Sequence, residues 1–416
     1  MNKIYILILL LFSFSFSAFC QYENDEKLEK EKDYLTIAKN ELDSNNYRNV
    51  IKIVDEAIEK GKDTNKLYEK RAIAYYKIRE TKKAFKDIDK IIFEEEKDFL
   101  TYPILALYYI SKEENLDAIN SLILPYKKNN KMFYSSISIL NKIDIKKILE
   151  LIDKELLEKE PIKELYAIKS IINYSNGSFN DSYTDLTTAI ENEKENGFLY
   201  YLLGGIKQKG KEYISSVSSY NSAILYKYKD IDVYKQRAVS KGFLDDFSGA
   251  IDDYNTIIKK NPNDYEAYYL RAIAKNYLRD YNGAIYDLNK SISINDTFAS
   301  AYNYRAIVYA NVEDYASALL DFYKTLSIEP NHPFTHNNIG IALVHSGQSI
   351  KAEKYFTRAI ELDPKHADAY YNRAKLRFNS GDISKSKSDF LKSIELNFKN
   401  PDAHYHLALI YIKEKY

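Results

Sequence analysis

Arg271 and Asp287 are the residues whose types and spacing first suggest chemistry in this chain. They stand sixteen positions apart in YLRAIAKNYLRDYNGAIYDLNKSI, residues 269–292, which reads as two short helices around a polar turn. Both fall among apolar residues, so the pair could be a catalytic couple, a ligand site or a structural strut. A second candidate is histidine. All six, His332, His336, His345, His366, His404 and His406, lie between residues 332 and 406. His332 and His336 have helical spacing, but Pro333 between them puts His332 ahead of the helix, and no acid-rich ligand set joins them. The reading is no metal and no cofactor. A nucleophile elbow, phosphate-binding loop, dinucleotide fingerprint and zincin motif are all absent from the sequence.

The elements that position these residues follow from composition and period. The chain has 416 residues, with 60 basic and 60 acidic side chains, 12 Gly, 8 Pro, 40 Tyr and no Trp. Scarce Gly and Pro favour helices. Zero net charge argues against nucleic acid as a partner, because such binding needs a basic surface to displace counterions. Cys20 is the only cysteine, so neither a disulfide framework nor a thiolate zinc site is available.

A period of 34 residues dominates. Units run 31–64, 65–98 and 99–132, then 163–196, 197–230, 231–264, 265–298, 299–332, 333–366 and 367–400, with a half-unit at 401–416. Numbering from the first residue of each unit, position 4 is Tyr in nine units and His336 or His404 in the other two. Position 8 is always small, as in Ala272, Ala306 and Gly340. Position 20 is small except at Val50, and position 24 is bulky, as in Leu288, Phe322, Phe356 and Phe390. Small residues at 8 and 20 let two helices approach, and bulky ones fill the space beside them. Both His336 and His404 read as core.

The opening pair occupies positions 7 and 23. Arg71, Lys169, Arg237, Arg271, Arg305 and Arg373 at position 7 are matched by Asp87, Asp185, Asp253, Asp287, Asp321 and Asp389 at position 23. Where position 7 is apolar, at Ile37, Leu105, Leu203 and Ile339, position 23 is Ile53, Ser121, Ser219 and Tyr355. Asp at 23 therefore covaries with a basic residue at 7. The pairs read as interhelical struts, since a catalytic site is not repeated six times at even spacing.

The fragment HNNIGIAL…KAEKYFTRAIELDP carries a family signature: Ile339 and Gly340, then Ala352 and Phe356, then Pro364. It resembles the tetratricopeptide repeat, and the resemblance extends over nearly the whole chain after residue 30. It implies an all-α, right-handed superhelical solenoid of helix-turn-helix units. Tyr replaces the family's Trp at position 4. The domain reading is three units over 31–132, a degenerate hairpin over 133–162 that lacks the small-residue signature, seven units over 163–400, and a capping helix over 401–416. Pro125, inside an expected second helix, marks the break in register.

The resemblance also implies that positions 5, 6, 9, 12 and 13 of the first helices line a concave groove for a partner's peptide or helix. The candidates are Tyr269, Ile273, Tyr277, Asn303, Tyr304, Asn337, Asn338, Tyr371, Asn372, Tyr405 and His406. Tyr offers area with a polar tip, and Asn can bond an extended backbone. The Lys/Asn/Arg clamp that some family members use for a carboxylate is not matched.

Residues 1–20, with Lys3 before the apolar run IYILILLLFSFSFSAF, read as a signal peptide cleaved before Gln21; a lipidated Cys20 would instead anchor the chain to a membrane. Residues 21–30 read as a charged lead-in. Together these suggest an exported, non-enzymatic scaffold of the bacterial envelope, periplasmic or extracellular, with a protein or peptide partner. The alternatives are a glycan-capture protein and a regulatory subunit of an envelope protease or assembly machine.

Overall fold

The computed structural model describes residues 34–62, 64–94, 97–158 and 160–415, and these are helices joined by turns. The expected signal peptide, Cys20 and the charged lead-in lie outside the described residues. None of the described helices is long and apolar enough to cross a membrane. The chain divides into two compact units, Met1–Ile206 and Lys207–Tyr416.

In the first unit, α1 (34–43) and α2 (Tyr47–Glu59) are followed by α3 (Asn65–Lys77), α4 (Thr81–Ile91), α5 (Thr101–Ser111) and α6 (Asn115–Lys128). Then come α7 (Asn130–Ile137), α8 (Lys142–Leu156), α9 (Glu164–Ser175) and α10 (Phe179–Asn192), and α11 (Gly197–Lys209) reaches the boundary. The second unit holds α12 (Tyr213–Leu225), α13 (Ile231–Gly242), α14 (Phe247–Lys260), α15 (Tyr265–Tyr277), α16 (Tyr281–Ile294) and α17 (Ala299–Asn311). It continues through α18 (Tyr315–Ile328), α19 (Pro333–His345), α20 (Ser349–Leu362), α21 (Ala367–Ser380), α22 (Ile383–Leu396) and α23 (Pro401–Lys415). In the first unit α2 packs on α3, α3 on α4, α4 on α5, α5 on α6 and α9 on α10; in the second, every helix from α12 to α22 packs on the one that follows it. This is a helical repeat solenoid.

The pairing follows from the side chains at 8, 20 and 24. Ala272, Ala284 and Leu288 have no exposed surface, and neither do Ala306 and Ala318 beside Phe322. Gly340 is the tightest case. A Cβ there would sit 2.5 Å from the Phe356 ring, so glycine is what lets that ring lie against the first helix. Ala408 is exposed, because α23 has no second helix packed over it among the described residues.

The turns repeat as closely as the core. Position 15 has a left-handed backbone in every unit, and only Gly177, Gly347 and Gly381 are glycines there. Asn45, Arg79, Glu113, Lys211, Asp245, Arg279 and Glu313 adopt the same conformation with side chains. The following amide reaches back five residues, as from Asp280 N–H to the Lys275 carbonyl at 2.9 Å, and satisfies an orphan carbonyl of the first helix. The side chain at position 16 then caps the second helix. Asp246, Asp280, Asp314 and Asp382 accept from the backbone N–H of Gly249, Gly283, Ser317 and Lys385.

Pro125 lies inside α6, as expected, and the helix runs through it to Lys128. The proline lies in the last turn, where the missing N–H removes a single bond near a fraying end. The following hairpin keeps more of the pattern than its sequence suggests. Counted back from residue 163, Ser136 falls at position 8 and Ile152 at position 24, and both are buried. The segment begins at α7, only eight residues long, so its start overlaps the preceding unit and hides the register. α7 packs on α5, α6 and α9, and α8 packs on α5 and α9.

Candidate partner-binding face and its struts

The first helix of a unit carries position 7 toward its own second helix and toward the second helix before it. Each basic residue there bonds in both directions. Arg271 Nε and Nη2 donate to Asp287 at 2.8 and 2.6 Å, and Nη1 donates to Asn255 at 2.6 Å. Asp287 has no exposed side-chain surface and also holds Lys275 at 2.8 Å. Arg373 donates to Asp389 twice at 2.8 Å and to Thr357 at 3.1 Å. Arg71 binds Asp87 and Asp55. Arg237 binds Asp253 and Asn221, and Arg305 binds Asp321 and Asn289. Lys169 lies 3.3 Å from Asp185 and 2.8 Å from Asp153.

All six sequence-matched pairs are therefore in contact. The backward partner, sixteen residues before position 7, is new. The sequence carries a signal for it: an Asp, Asn or Thr precedes every basic residue by sixteen. That signal lies in the preceding unit, outside any pairing sought within one hairpin. Position 4 completes the strut. The Arg271 guanidinium lies 5.4 Å from the Tyr268 ring, and Arg71, Arg237, Arg305 and Arg373 lie likewise over Tyr68, Tyr234, Tyr302 and Tyr370. Bonded to their basic partners, the buried carboxylates hold the hairpins in one register; they offer no open acid or base to a substrate.

The candidate face lies on the first helices, whose neighbours touch each other at α15 with α17, α17 with α19, and α19 with α21. Asn276 Nδ2 donates to the Tyr304 hydroxyl at 3.1 Å, and Asn311 donates to the Asn276 carbonyl oxygen at 3.1 Å. Thr335 donates to Asn303 at 3.0 Å, and Asn372 to Asn337 at 2.9 Å. Tyr269 meets Tyr304 edge to face, and Phe298 as well. Positions 3, 5, 6, 12 and 13 thus stitch successive units into one continuous surface.

This sorts the expected contact residues. Asn337 is buried and bonded to Asn372, so both hold the surface together. Asn303, Tyr269 and Tyr304 are half-buried in similar roles, and burial pushes the Tyr304 phenol up to about 12. Asn338 is half-buried, and its side chain makes no hydrogen bond within the described residues. Ile273 is half-buried, and Tyr277 is 63% exposed while stacked on Phe247 at 4.5 Å. Tyr371 is half-buried against Phe390, Tyr405 is exposed, and His406 packs between Phe390 and Phe378.

The histidines separate. His336 is buried with Nε2 against the Pro330 carbonyl, and His366 is buried beside Phe334; burial lowers the pKa of both rings. His404, expected in the core, is exposed against Phe398, with no second helix packed over α23 among the described residues. His332 caps α19. No metal-ligating group of three or more His, Cys, Asp or Glu occurs among the described residues.

Two tetratricopeptide-repeat family models match, over residues 333–366 and 355–387. A crystal structure of a tetratricopeptide repeat protein from Parabacteroides merdae is 22% identical, with a TM-score of 0.51 over 60% of this chain and 98% of that one. The C-terminal part of a repeat-containing protein from Cytophaga hutchinsonii is 19% identical, covering 51% of this chain and 88% of that one, at a TM-score of 0.41. TTC0263, a thermophilic repeat protein from Thermus thermophilus, is 18% identical, covering 44% of this chain and all of that one, at a TM-score of 0.39. No curated protein matches.

Proposed function

We propose that this chain, a tetratricopeptide-repeat protein, is a non-enzymatic scaffold of the bacterial envelope that holds a polypeptide partner on the first-helix face of residues 265–366. Repeat proteins of this kind serve in general to bind other proteins or peptides. One observation carries the assignment of the face: hydrogen bonds at positions 3, 5, 6, 12 and 13 make it a continuous, ordered surface, yet the Asn338 side chain makes no hydrogen bond among the described residues and Tyr277 is exposed. A surface already organised loses little further freedom on binding. The struts support the non-catalytic reading, because their acids and bases are bonded to one another.

The export reading is supported by Lys3 and the apolar run after it, and it predicts a mature chain starting at Gln21. N-terminal sequencing of the protein from its native cell tests this; an intact Met1 start would refute it. The face is tested by affinity capture of an identified partner with Asn338→Lys. Capture should fall several-fold with an unchanged melting curve, and equal capture would sink the assignment.

A further inference from the structure

The same face has a chemical character that narrows its occupant, an inference resting on the scaffold reading above. Across positions 5, 6, 9, 12 and 13 of the three units spanning 265–366, no residue is Asp, Glu, Lys or Arg, although 29% of the chain is charged. Ile273, Ile307 and Ile341 run along it as a half-buried aliphatic row, flanked by the Asn and Tyr side chains already bonded across units. The basic groups of the same helices are held elsewhere: Arg271 and Lys275 by Asp287, and Arg305 by Asp321. Charges return only at the borders, with Lys235 in an ion pair to Glu266 on one side and Lys375 on the other.

A carboxylate or ammonium laid on such a surface would lose water without gaining a counter-charge. A side chain with an amide, hydroxyl or hydrocarbon would lose little and could bond Asn338 or cover the isoleucines. We propose that this face takes an uncharged, partly apolar segment of a partner polypeptide and rejects acidic and basic segments. Binding there is insensitive to salt, because no ion pair forms.

The test is selection of a displayed library of random peptides on the full-length protein, with bound peptides mapped by protection of α15, α17 and α19 from hydrogen exchange. Peptides enriched on this face should be depleted in Asp, Glu, Lys and Arg. Their affinity should be equal at low and high salt and fall roughly tenfold with Asn338→Asp, which places a charge on the face. Because the Asn338 side chain makes no hydrogen bond among the described residues, that variant should melt like the parent. Enrichment of acidic or basic peptides on the same helices would overturn the inference and leave the scaffold reading standing. Failure of any peptide to protect these helices, or protection by a neutral oligosaccharide instead, would overturn both.

Discussion

Arg305 grips Asp321 through two hydrogen bonds of 2.6 and 2.7 Å, and its third nitrogen turns back to Asn289 in the previous unit. The same residue thus closes its own hairpin and couples it to its neighbour. In the sister strut, Asp287→Ala strands both Arg271 and Lys275 and should cost about 2–4 kcal/mol. Arg271→Leu with Asp287→Ser copies the natural Leu105 and Ser121 pairing, in which the serine bonds the Asp117 carbonyl at 2.8 Å. The double variant should cost clearly less than the single one, because only Lys275, and no longer Arg271, is left without its carboxylate. Urea unfolding of the three proteins checks this; equal losses for single and double variants would contradict it.

The turns offer a stabilising change. Glu313 holds a left-handed backbone at φ 63° with a side chain. Glu313→Gly should gain about 0.5–1 kcal/mol of local stability, the steric penalty outweighing glycine's extra unfolded freedom. Gly347 has φ +74° and open space around it, so Gly347→Ala should lose a similar amount through backbone strain alone. Amide hydrogen exchange across α17–α20 reads both changes.

Gly340→Ala tests packing rather than backbone. Its Cβ would fall 2.5 Å from Phe356, so the ring must move. The expected loss is about 1–3 kcal/mol. Gly340→Ala with Phe356→Leu should recover part of it, by giving the methyl room. A double variant no more stable than the single one would show that the ring is not the obstacle.

Much of this architecture is legible because 34 residues recur with fixed chemistry. Position 8 against 24 defines the hairpin, and covariation of 7 with 23 names the struts. Contacts that cross from one unit to the next are harder to read. Asn255 under Arg271 and Asn276 against Tyr304 join different copies, and comparison within a copy does not expose them. For the same reason Asn337 and Asn372 look like open contact residues in the sequence, whereas they bond each other. The hairpin after Lys128 is obscured by a different cause: a short α7 shifts its start, while Ser136 and Ile152 stay in register with the units that begin at residue 163.

Acid should loosen the C-terminal units. Burial holds the pKa values of His336 and His366 below the ordinary 6.5. Arg358 and His332 near the first ring oppose its charging further, whereas Asp363 and Asp368 near the second favour it. Because the folded values are depressed, the unfolded chain takes up protons first. The stabilisation is full above the unfolded value and is lost as pH falls below it. The melting temperature should therefore drop between about pH 7.5 and 5.5, and drop less with both histidines changed to Gln. An unchanged slope in that variant would assign the acid sensitivity elsewhere.

Partner binding on the first-helix face of residues 265–366 is open to direct test in the native cell by photocrosslinking. A photoreactive amino acid is placed singly at Tyr277, at Val344, or at Leu320, which is 72% exposed on a second helix. One discrete adduct of the same size is expected from Tyr277 and Val344, and none from Leu320. An adduct from Leu320, with none from the other two, would contradict binding on this face.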